Sequence, residues 1–248
     1  MARVVIRSVD EQPRATPVLC GESDPIHLHH LRLSAGERLT IAPGHHRAGY
    51  VWRGGIAAAG HGLPAGSSFM VERGGVLEIA ADDDGAQVLL FHAPGVNGAA
   101  GSGQVHLMPE STVPRYAPPP GEYGASGGLH FNAEGQMGHI WLHENQLPGM
   151  AEHGAGEVAE RGIHAHSEDE VIFITAGSMR LGARLAGPGT ALAIAADTFY
   201  SFTPGPEGLG FINFRPGFPA AFRMKNGGSF DEAGYWRDRV DAPVPIRI

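Results

Sequence analysis

The chain has 248 residues, 42% of them hydrophobic and 18% charged, with a formal charge of -8 at pH 7. Such proportions suit a globular protein of one large domain or two of about 100–150 residues, and they exclude an intrinsically disordered chain. An acidic chain with no basic cluster repels nucleic acid, the single Cys20 excludes an internal disulfide, and no apolar run approaches the roughly 18 residues of a membrane helix.

The opening stretch, MARVVIRSVDEQPRATP, carries no apolar leader core, so the expectation is a cytoplasmic protein that does not bind membranes. With 37 glycines and 19 prolines, turns are frequent and short strands are favoured over long helices. In chain order, HLHHLRL (27–33), GYVWRG (49–54), SSFMVE (67–72) and AQVLLFH (86–92) read as strands, because they alternate or are rich in β-branched and aromatic residues. Residues 93–128 hold GVNGAAGSG and VPRYAPPPGEYGASGG, the composition of an interdomain connection. Strands resume at GHIWLHE (138–144), DEVIFITA (169–176), GTALAIA (189–195), TFYSF (198–202) and LGFINFR (209–215). Only FDEAGYWRDRV (230–240), behind Ser229 as N-cap, reads as a helix, and APVPIRI (242–248) is an apolar tail suited to adding an edge strand. The fold class is all-β.

The order of events on the two sides of the connection is similar. A strand precedes a histidine-bearing turn (PGHH, then HAH), a strand ending at glycine follows (Gly54-Gly55, then Gly177), and a further strand closes the unit. This predicts an internal duplication, with a first unit at 1–95, a connection at 96–128 and a second unit at 129–248. Exposed strand edges in such units are protected by pairing, which predicts a homodimer.

The stretch GIHAHSEDEVIFITAG (162–177) concentrates the chemistry. Side chains alternate along an extended chain, so His164, His166, Glu170, Ile172 and Ile174 share one parity. Two imidazoles and a carboxylate then lie on the face that fills a core, an arrangement that suits one divalent first-row metal: Fe, Mn, Ni or Zn. A solvated turn through Ser167, Glu168 and Asp169 is the plainer alternative. His139, Trp141 and His143 share one face of the strand before this turn and are candidates for substrate contact. His27 and His29 pair in the same way in the first half.

The spacing His164-x-His166-x3-Glu170-x6-Gly177 resembles the first motif of the cupins, and GPGTALAIAADTFYSF (187–202) resembles their second. GLPAGSSFMVERGG (62–75) resembles the second motif again. The resemblance covers most of both halves and implies a bicupin: two double-stranded β-helix (jelly-roll) barrels, with the metal held by His164, His166 and Glu170 in the second. Where the second motif places a histidine, this chain has Tyr200, which becomes a candidate catalytic or substrate-binding hydroxyl. In the first half, His45 and His46 are adjacent, and Tyr50 and Trp52 stand where a carboxylate belongs, so no metal site of the motif type is expected there.

The resemblance implies a metal-dependent enzyme acting on a small organic molecule in the second barrel, with dioxygenase chemistry of the quercetinase kind as the leading class. Isomerases and cyclases share the fold. So do ureidoglycine aminohydrolases, which are bicupins of similar length with manganese in the C-terminal half; their motif order differs from the His, His, Glu seen here. A non-catalytic binding or sensory cupin is the reading of a different class, and Tyr200 is the residue that favours it. There is no P-loop and no GxGxxG dinucleotide fingerprint.

Overall fold

The computed structural model describes residues 4–9, 16–19, 27–92, 101–120, 125–133, 140–149, 162–218 and 222–248. It is nearly all β, as expected. One α-helix, Glu232–Arg237, is present among the described residues, and no helix is long and apolar enough to cross a membrane.

Two large antiparallel sheets are built to the same plan. In the first, the main strand order is Thr16–Leu19, His27–Leu33, Leu77–His92, Arg47–Ala58, Ser68–Val71, Val105–Met108 and Ile246–Arg247. In the second it is Arg115–Tyr116, Ser126–Asn132, Trp141–Leu147, Thr203–Arg215, Glu170–Leu181, Thr190–Ile194 and Val4–Ser8. With the second order set one place along, Leu77–His92 matches Thr203–Arg215, and Arg47–Ala58 matches Glu170–Leu181. Even the irregularities match. The register slips between Val51 and Arg53 and between Gly54 and Ile56 in one sheet, and between Ile174 and Ala176 and between Gly177 and Met179 in the other.

These slips correct one detail of the sequence reading. The strands do not end at Gly54 and Gly177; they run through them to Ala58 and Leu181. Both glycines take positive φ (68° and 64°), and a Cβ on either would lie 2.0 or 2.1 Å from the carbonyl oxygen of Gly85 or Gly208. The glycine is therefore the hinge of a bulge, which bends a long strand instead of terminating it. The 96–128 stretch also differs from a plain connection. It carries the Val105–Met108 and Arg115–Tyr116 strands and the start of Ser126–Asn132, because apolar runs such as VHLM bury well once a sheet edge is available. TFYSF is not a strand: Tyr200 makes only an isolated bridge to His164. Asp231, not Ser229, caps the helix, its carboxylate accepting from the Gly234 amide, while Ser229–Phe230 forms a short strand.

The long strands are buried on both faces, and parity decides which core each residue joins. Leu31, Leu33, Val51, Val88 and Leu90 fill the core of the first sheet, whereas Ile172, Ile174, Leu192, Ile194 and Tyr200 fill that of the second. Residues of the opposite parity, among them Tyr50, Leu89, Phe91, Phe173 and Phe214, meet in a third core between the sheets. There Phe91 and Phe214, which occupy matching places in the two sheets, stack at 4.9 Å with an angle of 15° between the rings. Trp52 packs edge-on against Phe173. The tail adds its Ile246–Arg247 strand to Val105–Met108, and Val4–Ser8 adds to Thr190–Ile194, so each end of the chain completes the sheet of the other half.

A buried polar tie crosses the same interface. Tyr50 donates to Glu144 Oε2 at 3.1 Å, Arg115 pairs with the other carboxylate oxygen, and His130 Nε2 lies 3.9 Å away. Burial pushes the Glu144 carboxyl up, but His130 and Arg115 outweigh it and hold the group down at about 2, against an ordinary 4.5. A depressed folded-state value contributes stability that is fully present above about 4.5 and is lost as pH falls towards about 2. Urea denaturation should therefore show a steep loss of stability over that acid window, and Glu144→Gln should remove a distinct part of the slope. An unchanged slope in the variant would show that the tie contributes nothing.

Candidate metal centre

The sequence places His164 and His166 before a strand, and the structure pins that turn from three sides. His164–Ala165 pairs with Phe222–Met224. The His164 amide donates to Tyr200 O at 3.1 Å, and the Tyr200 amide donates back to His164 O at 3.0 Å. The Asp197 amide closes onto His166 O at 2.7 Å. Glu170 opens the next strand, 1% exposed, on the same face as Ile172 and Ile174.

Both imidazoles present Nε2 inward, and their outer partners explain why. His164 Nδ1 lies 2.6 Å from Gly162 O, which can only accept, so the proton sits on Nδ1 and Nε2 faces the Tyr200 hydroxyl at 3.2 Å. At His166, Arg215 Nη2 can only donate to Nε2, at 3.3 Å, which leaves the proton on Nδ1, 3.8 Å from Glu232 Oε2. His166 Nε2 lies 3.8 Å from Glu170 Oε1. That oxygen is buried and has no hydrogen-bond partner, while the other, Oε2, accepts from Asn213 at 2.7 Å and from Arg215 at 3.4 Å. Burial, and then the Arg215 charge, hold His166 down at about 2, so it is neutral, as a metal ligand or base must be. Burial and the Glu170 charge push the Tyr200 phenol well up, so it stays protonated and serves as a donor rather than a phenolate ligand.

Arg215, 2% exposed, organises the rest of the site. It pairs with Glu170 and makes two contacts with Glu232, which projects from the short helix. His143 completes this layer: its Nδ1 accepts from Trp141 Nε1 at 2.7 Å and its Nε2 lies 3.8 Å from Glu232 Oε1. Trp141 also lines a cavity of about 200 Å³ with Leu129, Asn132 and Trp236. Of the predicted residues, His164, His166, Glu170 and Tyr200 come together and Trp141 and His143 stand beside them; His139 lies outside the described residues. Sequence reasoning missed Asn213, Arg215 and Glu232. The alternation of LGFINFR could have found the first two, since Asn213 and Arg215 share a face with the core residue Phe211.

The donor set fits a divalent ion in kind and in charge. With His166 and the Tyr200 phenol neutral, two buried carboxylates face one guanidinium, and the uncompensated negative charge is costly unless a further cation or a proton meets it. The side chains are not drawn to coordination distance. Among the described residues, the only three His, Cys, Asp or Glu side chains whose ligand atoms all lie within 4.8 Å of one another are His27, His29 and His92, in the first half. Their rings stack, His27 on His92 at 4.6 Å and His29 on His92 at 5.1 Å. Burial, then the neighbouring His29 and His27, hold His92 down at about 3. His92 escaped the sequence reading because only strand register brings it opposite His27.

No protein-family model and no curated protein matches the chain. Solved structures do. Protein Ylba from E. coli superposes with a TM-score of 0.61 at 16% identity, over 86% of this chain and 90% of that one. The oxalate decarboxylase of Lactobacillus farciminis, solved as a formate complex, gives 0.65 at 10% identity, over 89% and 88%. That of Bacillus subtilis, a protein with Mn(II) centres, gives 0.57 at 13% identity, over 91% and 75%. These are cupin-fold proteins. The chain has a cupin fold. At such identities the likeness extends to the cupin fold alone.

Proposed function

We propose that this chain is a bicupin enzyme that acts on a small organic molecule at a divalent metal held by His164, His166 and Glu170 in its C-terminal barrel. The observation that carries the reading is the pair of inward-facing Nε2 atoms beside the buried, unpartnered Glu170 Oε1. Gly162 O orients one imidazole and Asn213 holds the carboxylate, the kind of outer support that fixes ligands before an ion arrives. Bound there, a divalent ion supplies a Lewis acid with positions left open for small ligands. Tyr200 keeps its proton next to those positions and is suited to donate a hydrogen bond or a proton to a substrate oxygen.

Dioxygenase chemistry is the reaction class proposed; an aminohydrolase, isomerase or cyclase is the alternative within the same site. Metal analysis of tag-free protein by mass spectrometry, with Glu170→Gln and His166→Ala alongside, tests the reading. The expected result is that both variants hold one equivalent of Fe, Mn, Ni or Zn less than the wild type while remaining folded, together with oxygen uptake on enolisable acids that only the wild type shows. Equal metal content in wild type and both variants would overturn it. Metal loss without oxygen uptake would retain the site and move the chemistry to the non-oxidative classes.

A further inference from the structure

We propose that His27, His29 and His92 form a second metal site, in the first half of the chain, that selects ions preferring nitrogen ligands, such as Zn²⁺ or Co²⁺. The inference is independent of the function proposed for the second half. His27 and His92 are direct partners across antiparallel strands, and His29 follows His27 on the same face. All three share the parity of Leu31, Leu33, Val88 and Leu90, so they stand at the end of the first core on its inner side.

Matching the two sheets shows that this is a different ligand set at the same end of the barrel, not a worn copy of the C-terminal one. Arg47 occupies the place of Glu170, His92 that of Arg215, and His27 and His29 those of Trp141 and His143. Across these four positions a carboxylate, a guanidinium, an indole and an imidazole in the second half correspond to a guanidinium and three imidazoles in the first.

The geometry is close to what an ion needs. Ligand atoms within 4.8 Å of one another must approach to roughly 3.3 Å to share an ion at about 2.0–2.1 Å, a change that side-chain rotation supplies without moving the strands. The rings stack face to face, His92 against both His27 and His29 with each pair inclined by 22°, so they must turn about their side-chain bonds before the nitrogen lone pairs converge on an ion. His92 Nδ1 is buried without a hydrogen-bond partner. Arg47, the cross-strand neighbour of His92, opposes a cation by charge, but its Nη1 is drawn off to Ala42 O at 3.1 Å. Three imidazoles, with no carboxylate in the set among the described residues, favour zinc, copper, nickel and cobalt over manganese, magnesium or calcium, and they leave a fourth position for water.

The test is a Co²⁺ titration of chelator-treated protein, followed by visible absorption and calorimetry, for the wild type, His29→Gln, a His29→Ala/His92→Ala double variant, and Glu170→Gln. The expected result is a low-symmetry Co²⁺ spectrum that Glu170→Gln retains. His29→Gln should weaken the binding by about a hundredfold or more, because even changes behind a ligand cost about 10–100-fold, and the double variant should abolish it. Adding Mn²⁺ first should not block that spectrum. A wild type that gives no such spectrum overturns the proposal. So does a folded His29→Gln with unchanged Co²⁺ affinity, or a spectrum lost in Glu170→Gln and kept in the histidine variants. Since His29→Gln is conservative and separate from the Glu170 variant, failure here and failure of the C-terminal site give different patterns.

Discussion

Replacing Arg215 with methionine should lower the unfolding free energy by about 3–5 kcal/mol, a fall in Tm of about 6–20 °C. The side chain is 2% exposed and faces Glu170 and Glu232, themselves 1% and 7% exposed. Methionine fills much of the volume, so the loss is not chiefly one of packing. It comes from two buried carboxylates left without their cation, and removing one partner of a buried pair costs far more than the intact pair contributes. A second substitution separates this cause from a packing defect. In the Arg215→Met background, Glu232→Leu removes one stranded carboxylate and should restore part of the loss, giving a favourable coupling in a double-mutant cycle read by denaturant unfolding. Strictly additive losses would show that Arg215 and Glu232 do not support one another, and that the pairing is incidental to stability.

Phe214→Ala should cost a similar amount, about 3–5 kcal/mol, for a different reason. The ring is fully buried between the two sheets and stacks on Phe91, so its removal opens a cavity that neither half can close alone. Because the contact belongs equally to both, denaturant unfolding should stay a single transition with its midpoint shifted. Phe214→Leu, which retains most of the volume, should recover the greater part of the loss. Two separated transitions in the alanine variant would show that the halves are held together elsewhere, for instance through Tyr50 and Glu144.

Much of the fold was legible because it depends on local pattern. Alternation in DEVIFITA placed Glu170 with Ile172 and Ile174, and those isoleucines do fill the inner core of the second sheet. Gly54 and Gly177 stood out as matching features, although composition alone could not separate a strand end from a bulge. The APVPIRI tail announced an edge strand without saying which sheet would receive it. The site was legible only as far as one turn and one strand could carry it. Asn213 and Arg215 reach Glu170 across a strand pair, and Glu232 arrives from a helix, so their roles follow from register and packing that no local spacing encodes. The same holds for His92. It stands at the end of a readable strand, but its partnership with His27 is a property of the hairpin plan. Ser229 is as good a cap by residue type as Asp231, and only the short Ser229–Phe230 strand moves the helix start to Asp231.

The crossing of the chain ends has a consequence for how the molecule is made. The sheet of the first half contains Ile246–Arg247, and the sheet of the second contains Val4–Ser8. A ribosome therefore cannot release a finished first half and then a finished second. Val4–Ser8 must wait until Thr190–Ile194 has been synthesised, and the edge at Val105–Met108 stays open until the tail has emerged. Contacts of such long sequence separation slow folding, and they leave strand edges exposed for the whole of synthesis. Once both ends are in place, neither half can come undone without stripping a strand from the other.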